Sequence, residues 1–340
     1  MKAPLSPTHS KSPWSALISY VVAAGALWWV FHGTNAGVLL REFAAINWPL
    51  ACAGMVFDVG RYLCQSVRWK LLLSSFGRIS FAKTFRALYA GIFLNMVFPL
   101  RIGEVARAYI VSRDGCLKFS SALSSLFVEY LFDGVWLAAG IGSAALFLSL
   151  PHQISVAARI LGVVILAASV VFCGIVFREI PVIEKRLPLS RGLIRFALMR
   201  FRALQRSIRT SLKSMSKSRF FIASFFLSGV DLFFHIGAFW IIMRAYGIHL
   251  PFFTASAVVL FVFVGLIIPN APSNVGSFQF FCVIALLAVG VDKTQATGFS
   301  LLVFVLVSIP QITIGSLAFA SSGRTLSEIR NDVRRLRGAS

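Results

Sequence analysis

Acidic residues are scarce in this 340-residue chain. Only 12 Asp and Glu stand against 33 Lys and Arg, and charged residues make up 13% of positions. A soluble globular domain carries about 25% charged residues. With 58% hydrophobic residues and a mean hydropathy of +0.82, the chain has too little polar surface to face water as a globule. That excludes a soluble enzyme and a soluble nucleic-acid-binding domain, despite a formal net charge of +21. Cysteine is sparse as well. Cys52, Cys64, Cys116, Cys173 and Cys282 lack CxxC spacing and mostly sit in apolar runs. They read as small buried hydrophobes and not as a disulfide or zinc framework. The five histidines are scattered, and HExxH, Walker-loop, DxD-type and GxSxG patterns are missing. No catalytic residue, metal or cofactor is therefore expected. The alternating pattern of a transmembrane barrel is absent too.

What is present is a series of long apolar runs, rich in phenylalanine (33 residues), separated by basic segments. Lipid offers the backbone no hydrogen-bond partners, so such runs cross it as helices. The expected fold is an all-α polytopic membrane protein. Six full spans are expected, at 14–31, 47–67, 119–149, 160–177, 220–243 and 297–320, each near or above the ~20 residues a bilayer core requires. The run from Trp14 to Phe31 ends in Trp28-Trp29-Val30-Phe31 and fits a retained span better than a cleaved signal peptide. Two further segments, 84–118 and 253–290, are interrupted by Pro99-Leu-Arg-Ile-Gly103 and by Pro269-Asn-Ala-Pro272-Ser-Asn-Val-Gly276. Proline and glycine break helices, so both are expected as re-entrant helix pairs that enter and leave on one side.

Charge supports that topology. With 1–13, 68–83, 101–118, 178–219 and 321–340 on the cytoplasmic side, those segments hold 27 of the 33 Lys and Arg. This is the positive-inside pattern, and it places both termini in the cytoplasm. Between two membrane halves, 1–177 and 220–320, the linker 178–219 contains a basic amphipathic helix. On a helical wheel its apolar face carries Phe201, Leu204, Ile208 and Leu212, and the opposite face Arg195, Arg202, Arg206 and Arg209. Such a helix lies on a membrane surface. It serves as a docked linker, a homodimer contact or an anionic-lipid sensor. The tail 321–340 is a solvated basic end.

The halves also repeat. Asp58, Pro99 and Gly103 recur as Asp231, Pro272 and Gly276, each 173 residues later. The span carrying Asp58 runs inward and the span carrying Asp231 runs outward, which makes the repeat inverted. Inverted repeats with broken helices build secondary transporters. A broken helix turns its N-terminal N–H groups into the membrane, where they suit an anion. The starts near Glu104 and Ser277 are the candidates.

Charges at membrane depth are costly and functional by default. Asp58 and Arg61 are spaced to neutralise one another on one helix face. Glu129 and Asp133 share a face and demand a basic partner, for which Arg101, Arg107 and Arg61 are candidates. Asp231 and His235 form a second pair at the same spacing. The plainer reading of all these charges is an internal ion-pair set that holds helices together.

These residues resemble a known family. Asn95-Met-Val-Phe-Pro99-Leu-Arg101-Ile-Gly103-Glu104-Val-Ala-Arg107-Ala resembles the N-x-x-x-P-x-R-x-G-E-x-x-R-A motif of the lysylphosphatidylglycerol synthase transmembrane, flippase-like family. Val128-Glu129-Tyr130-Leu-Phe-Asp133 resembles its V-E-R-x-x-D stretch, with Tyr130 in place of the usual Arg. Pro272-Ser-Asn274-Val-Gly276-Ser-Phe-Gln279 resembles its P-x-P-G-G-x-G-x-x-E stretch, with Gln279 in place of Glu. An amide does not titrate, so proton coupling through position 279 is not expected. The resemblance implies a membrane domain that moves lipids between leaflets of a bacterial cytoplasmic (inner) membrane. The sequence ends at Ser340, shortly after the last expected span, so the aminoacyl-transferase domain of the synthase members is not expected.

The expected function is thus a lipid flippase or scramblase-like transporter. Arg101 and Arg107 would meet the headgroup phosphate, and Glu104, Glu129 and Asp133 would orient them or meet a cationic headgroup. The partners are membrane lipids, not nucleic acid. An enzyme or enzyme partner acting on polyprenyl or hopanoid lipids is the alternative, with a non-transporting scaffold as a third reading.

Overall fold

The computed structural model describes residues 13–98, 101–147, 219–267 and 272–323, together with isolated positions within 160–174 and at 210, 215 and 328. Among the described residues the chain is all-helical. In order these are α1 (Pro13–Phe31), α2 (Ala36–Ala44), α3 (Trp48–Leu73), α4 (Phe81–Val97), α5 (Ile102–Asp114) and α6 (Phe119–Phe147). After the linker come α7 (Arg219–Ala245), α8 (Phe252–Gly265), a 3-10 turn (Pro272–Asn274), α9 (Ser277–Ala288) and α10 (Lys293–Ala320). The expected span 160–177, the amphipathic linker helix and the basic tail lie almost wholly outside the described residues.

Helix starts follow the sequence. Asn35 caps α2 by accepting from the N–H groups of Gly37 and Val38, Asn47 caps α3 at Leu50, and Asp292 caps α10 at Thr294. Such side-chain caps satisfy N–H groups that have no partner within the helix. By length and apolar composition α6, α7 and α10 suffice to cross a bilayer, and a fourth crossing is reached if α2 and α3, bent by 84°, count as one span. Among the described residues three to four crossings are therefore present: the expected spans 119–149, 220–243 and 297–320 coincide with α6, α7 and α10, and the expected span 160–177 lies almost wholly outside the described residues. The short α2 was not foreseen at all, and none of its residues is buried.

Both interrupted segments form helix–break–helix hairpins. α4 packs on α5, and α8 packs on α9. Each hairpin has its own apolar core. Around the first gather Tyr62, Trp69, Leu88, Tyr89 and Ile110. Around the second gather Ile242, Val259, Cys282, Phe299 and Val303. The first hairpin closes through glycines: a Cβ on Gly103 would collide with the Gly91 carbonyl oxygen across the pair.

α3 and α7 form the most extensive helix pair and the spine of the molecule. Their contact is interlocked. A Cβ on Gly54 would sit 2.5 Å from Ile242 Cγ1, and a Cβ on Gly237 2.6 Å from Phe57 Cε1. Small residues that admit the neighbour's side chains are what bring membrane helices close. The cysteines are less uniformly buried than expected. Cys282 is closed off, Cys64 is half-buried, and Cys52 and Cys116 are exposed, the first on an outward face of α3 and the second in the turn between α5 and α6.

Candidate functional site

The first hairpin's break generates a polar site from its own residues. Arg101 ends the break in the left-handed region, at φ 50°, and supplies no side-chain cap to α5. The cap comes from α4 instead. Asn95 Oδ1 accepts from the Gly103 N–H at 2.7 Å, and Asn95 Nδ2 donates to Glu104 Oε1 at 3.0 Å. Pro99 and Leu100 lie outside the described residues.

From Glu104 the polar contacts run inward. Arg107 Nε donates to Glu104 Oε2 at 2.7 Å, and Arg107 Nη2 lies 3.1 Å from Glu129 Oε2 on α6. The Arg107 guanidinium also sits 4.9 Å from the centre of the Trp69 ring, whose Nε1 donates to Ser125 Oγ at 2.8 Å. Glu129 is shared. Its other oxygen accepts from Arg68 Nη2 at 3.3 Å. Arg68 goes on to Asp133, with Nη2 donating to Oδ2 at 3.2 Å and Nη1 to Oδ1, and it donates to Ser228 Oγ on α7 at 2.6 Å. Arg68 is 0% and Glu129 1% exposed, while Asp133 remains 41% exposed. Five helices thus meet at one chain of charges, Glu104–Arg107–Glu129–Arg68–Asp133.

Two guanidiniums face three carboxylates, which leaves one negative charge in excess. Buried charges persist only when paired and hydrogen-bonded, and here each arginine is gripped by two carboxylates. Of the three arginines proposed as partners for Glu129 and Asp133, Arg107 takes that place. Arg61 pairs with Asp58 at 3.3 Å, and Arg101 turns outward. The missing partner is Arg68. Sequence reading put it at the start of a cytoplasmic segment, but α3 runs past residue 67 to Leu73 and buries Arg68, Trp69, Leu72 and Leu73. The signal was available: Arg68 follows Arg61 by seven residues, two helical turns, and so lies on the same face.

The second break is built differently. Ser273 and Asn274 both take positive φ, and Gly276 follows at φ 82°. A side chain at Gly276 would be strained, and its Cβ would stand 2.5 Å from the Ala23 carbonyl oxygen of α1. The buried Gln279 folds back, its Oε1 accepting from the Gly276 N–H at 2.8 Å. Position 279 therefore works as a cap. Asn274 and Pro272 belong to the 3-10 turn, which packs against α4. The two breaks are also tied directly, since Arg101 Nη2 donates to the Leu266 carbonyl at the end of α8 at 2.9 Å. Beside the start of α9 an apolar groove of about 450 Å³ opens against α1, lined by Val22, Trp28, Trp29, Phe280 and Phe281 with Ser277 at its edge.

Asp231 and His235 lie on α7, and Asp231 is within electrostatic reach of Arg68, Glu129 and Asp133. The His235 ring packs on Phe263 at 4.3 Å and Phe239 at 5.3 Å, and Asp231 Oδ1 has no hydrogen-bond partner. Among the described residues no group of three or more His, Cys, Asp and Glu is placed to hold a metal ion.

The family model for the lysylphosphatidylglycerol synthase TM region matches residues 16–315. This chain belongs to that family. The match takes in both hairpins, the spine and the linker between the halves. No curated protein matches the chain significantly. Membership in the synthase TM-region family, together with helices able to cross a bilayer, makes this a multi-pass membrane protein with a lipid-related role.

Proposed function

We propose that this protein moves a polar-headgroup lipid, such as a phospholipid, between the leaflets of a bacterial inner membrane. The observation that carries the reading is the Arg101–Leu266 contact, which joins the breaks of the two hairpins beside a buried chain of charges. A headgroup crossing a bilayer requires polar groups at depth, and irregular backbone occurs at depth where it is buried in protein or lines such a path. Exposed Arg101 is the group for the headgroup phosphate, since a guanidinium stays charged and binds phosphate bidentately. The partly exposed Asp133 and Glu104 carry the excess negative charge and suit a cationic headgroup moiety. Asn95, Arg107 and Glu129 hold these groups in place. The apolar groove between α1 and α9 is of a kind to take an acyl chain while the headgroup passes. On this reading the halves are inverted repeats with both termini cytoplasmic, and the protein is a transporter and not an enzyme.

The test is reconstitution into liposomes carrying a headgroup-labelled phospholipid, with leaflet exchange read by quenching from outside. Wild type exchanges lipid faster than empty vesicles, and Arg101→Ala and Glu104→Gln fall toward the empty-vesicle rate. Equal exchange by wild type and by empty vesicles overturns the reading for that lipid.

A further inference from the structure

A second polar compartment lies along the spine, and the transport path described above does not use it. On α3, Asp58 is 0% exposed and neither carboxylate oxygen has a hydrogen-bond partner. Arg61 Nε approaches Asp58 Oδ1 at 3.3 Å, without a bonding angle, while its guanidinium lies 4.0 Å from the centre of the Tyr62 ring. The Tyr62 ring packs at a tilt against Tyr89 of α4, 5.4 Å between centres, and the Tyr89 hydroxyl is likewise buried without a partner. From α10, Gln311 Nε2 donates to the Tyr62 hydroxyl at 2.6 Å. From α7 comes Asp231, whose Oδ1 is buried and unpartnered and which lies within electrostatic reach of Arg61 and of Arg68, with the half-buried Cys64 of α3 facing it as well. His235, one turn on, is held between phenylalanines. From α6 the facing charges are Glu129 and Asp133, and these occupy Arg68.

Among the described residues these two carboxylates therefore share one cation that other carboxylates do not already hold, since Arg68 is taken by Glu129 and Asp133. Arg61 can neutralise only one of them, and it sits on Asp58. An unpaired ionised carboxylate at membrane depth costs several kcal/mol, and such groups neutralise by taking a proton. We propose that Asp231 carries a proton at neutral pH, forming with Asp58, Arg61 and Tyr89 an internal proton-binding site between α3, α4 and α7. Asp58 stays ionised against Arg61. The proton comes from the aqueous phase and adds to a carboxylate oxygen of Asp231, with no other bond changed. This inference does not depend on the transport reading. Were the protein a lipid transporter, the site would give a proton a seat in its spine.

Infrared spectroscopy of the full chain tests it, in a maltoside detergent free of ester carbonyls. Wild type shows a protonated-carboxyl C=O band at neutral pH, and the band shifts down when aspartate is labelled with carbon-13. In Asp231→Asn the band is lost. Should that variant not fold, Asp231→Glu decides: its band survives but no longer responds to labelled aspartate. Glu42→Gln, remote from the spine, leaves the band intact. Absence of the band in wild type, with or without sodium, overturns the proposal, as does a band that persists in Asp231→Asn or still shifts in Asp231→Glu.

Discussion

Arg68 Nη2 lies 3.3 Å from Glu129 Oε1, and neither side chain is reached from outside the bundle. The same guanidinium binds Asp133 and Ser228, so one arginine joins α3 to α6 and α7. Removing one member of a buried pair leaves the other charged and alone, which costs about 3–5 kcal/mol. Arg68→Ala is expected to lower the thermal unfolding midpoint in detergent more than any single alanine substitution at an exposed position. Arg68→Lys recovers only part, because an ammonium cannot reproduce the forked contacts to Glu129 and Asp133.

Asn95 serves two masters at the first break, the Gly103 N–H and Glu104 Oε1. Asn95→Ala strips the cap from α5 and leaves a buried donor unsatisfied, at about 1–3 kcal/mol. Asn95→Asp keeps the acceptor for Gly103 and sets a second carboxylate against Glu104. The expected order of stability, read by thermal unfolding, is wild type above both variants.

Arg101 differs from its neighbours because its side chain is exposed and its partner is a backbone carbonyl. Arg101→Ala should change stability by no more than about 0.5 kcal/mol, as exposed substitutions do. Its effect belongs in the leaflet-exchange assay. A large loss of stability would mark Arg101 as a structural strut.

Gly276 allows the tight approach of α1 to the second break. Gly276→Ala adds a Cβ 2.5 Å from the Ala23 carbonyl oxygen at a backbone angle that alanine rarely adopts. α1 is expected to move off α9 and widen the groove lined by Trp28 and Trp29. Tryptophan fluorescence quenching by brominated detergent should rise in this variant relative to wild type.

Tyr246, just beyond α7, donates to Glu42 Oε2 at 2.8 Å and pins α2. Burial, followed by that bond to Glu42, pushes its phenol above the ordinary tyrosine value of about 10. The folded state then holds this proton more tightly than the unfolded state. The stabilisation is fully present below the ordinary tyrosine value and is lost as pH rises above it. Unfolding midpoints of wild type and Tyr246→Phe should converge in alkaline solution, with wild type higher by roughly 0.5–1.5 kcal/mol at neutral pH.

Composition alone marked a helical membrane chain, and Pro99, Gly103, Pro272 and Gly276 marked both hairpins. Those signals are local: proline and glycine close together at one point interrupt a helix, whereas the lone Gly54, Gly237 and Pro310 sit inside continuous helices. The acidic half of the site was legible as well, since Glu129 and Asp133 four apart must share a helix face. Their principal partner was not. Charge statistics treat an arginine at the edge of an apolar run as a cytoplasmic anchor. Only the tertiary pairing with Glu129 and Asp133 draws Arg68 inward and lengthens α3. Gln279 shows the converse. Read as a lost carboxylate, it is a cap whose amide oxygen holds the start of α9, a role set by a three-residue fold-back that residue type alone does not disclose.

The notches at Gly54 and Gly237 carry a mechanical consequence. Each receives a side chain from the opposite helix, Ile242 in one and Phe57 in the other. Two teeth facing opposite ways oppose sliding, so moving α3 along α7 would first have to lift Ile242 and Phe57 out of these notches.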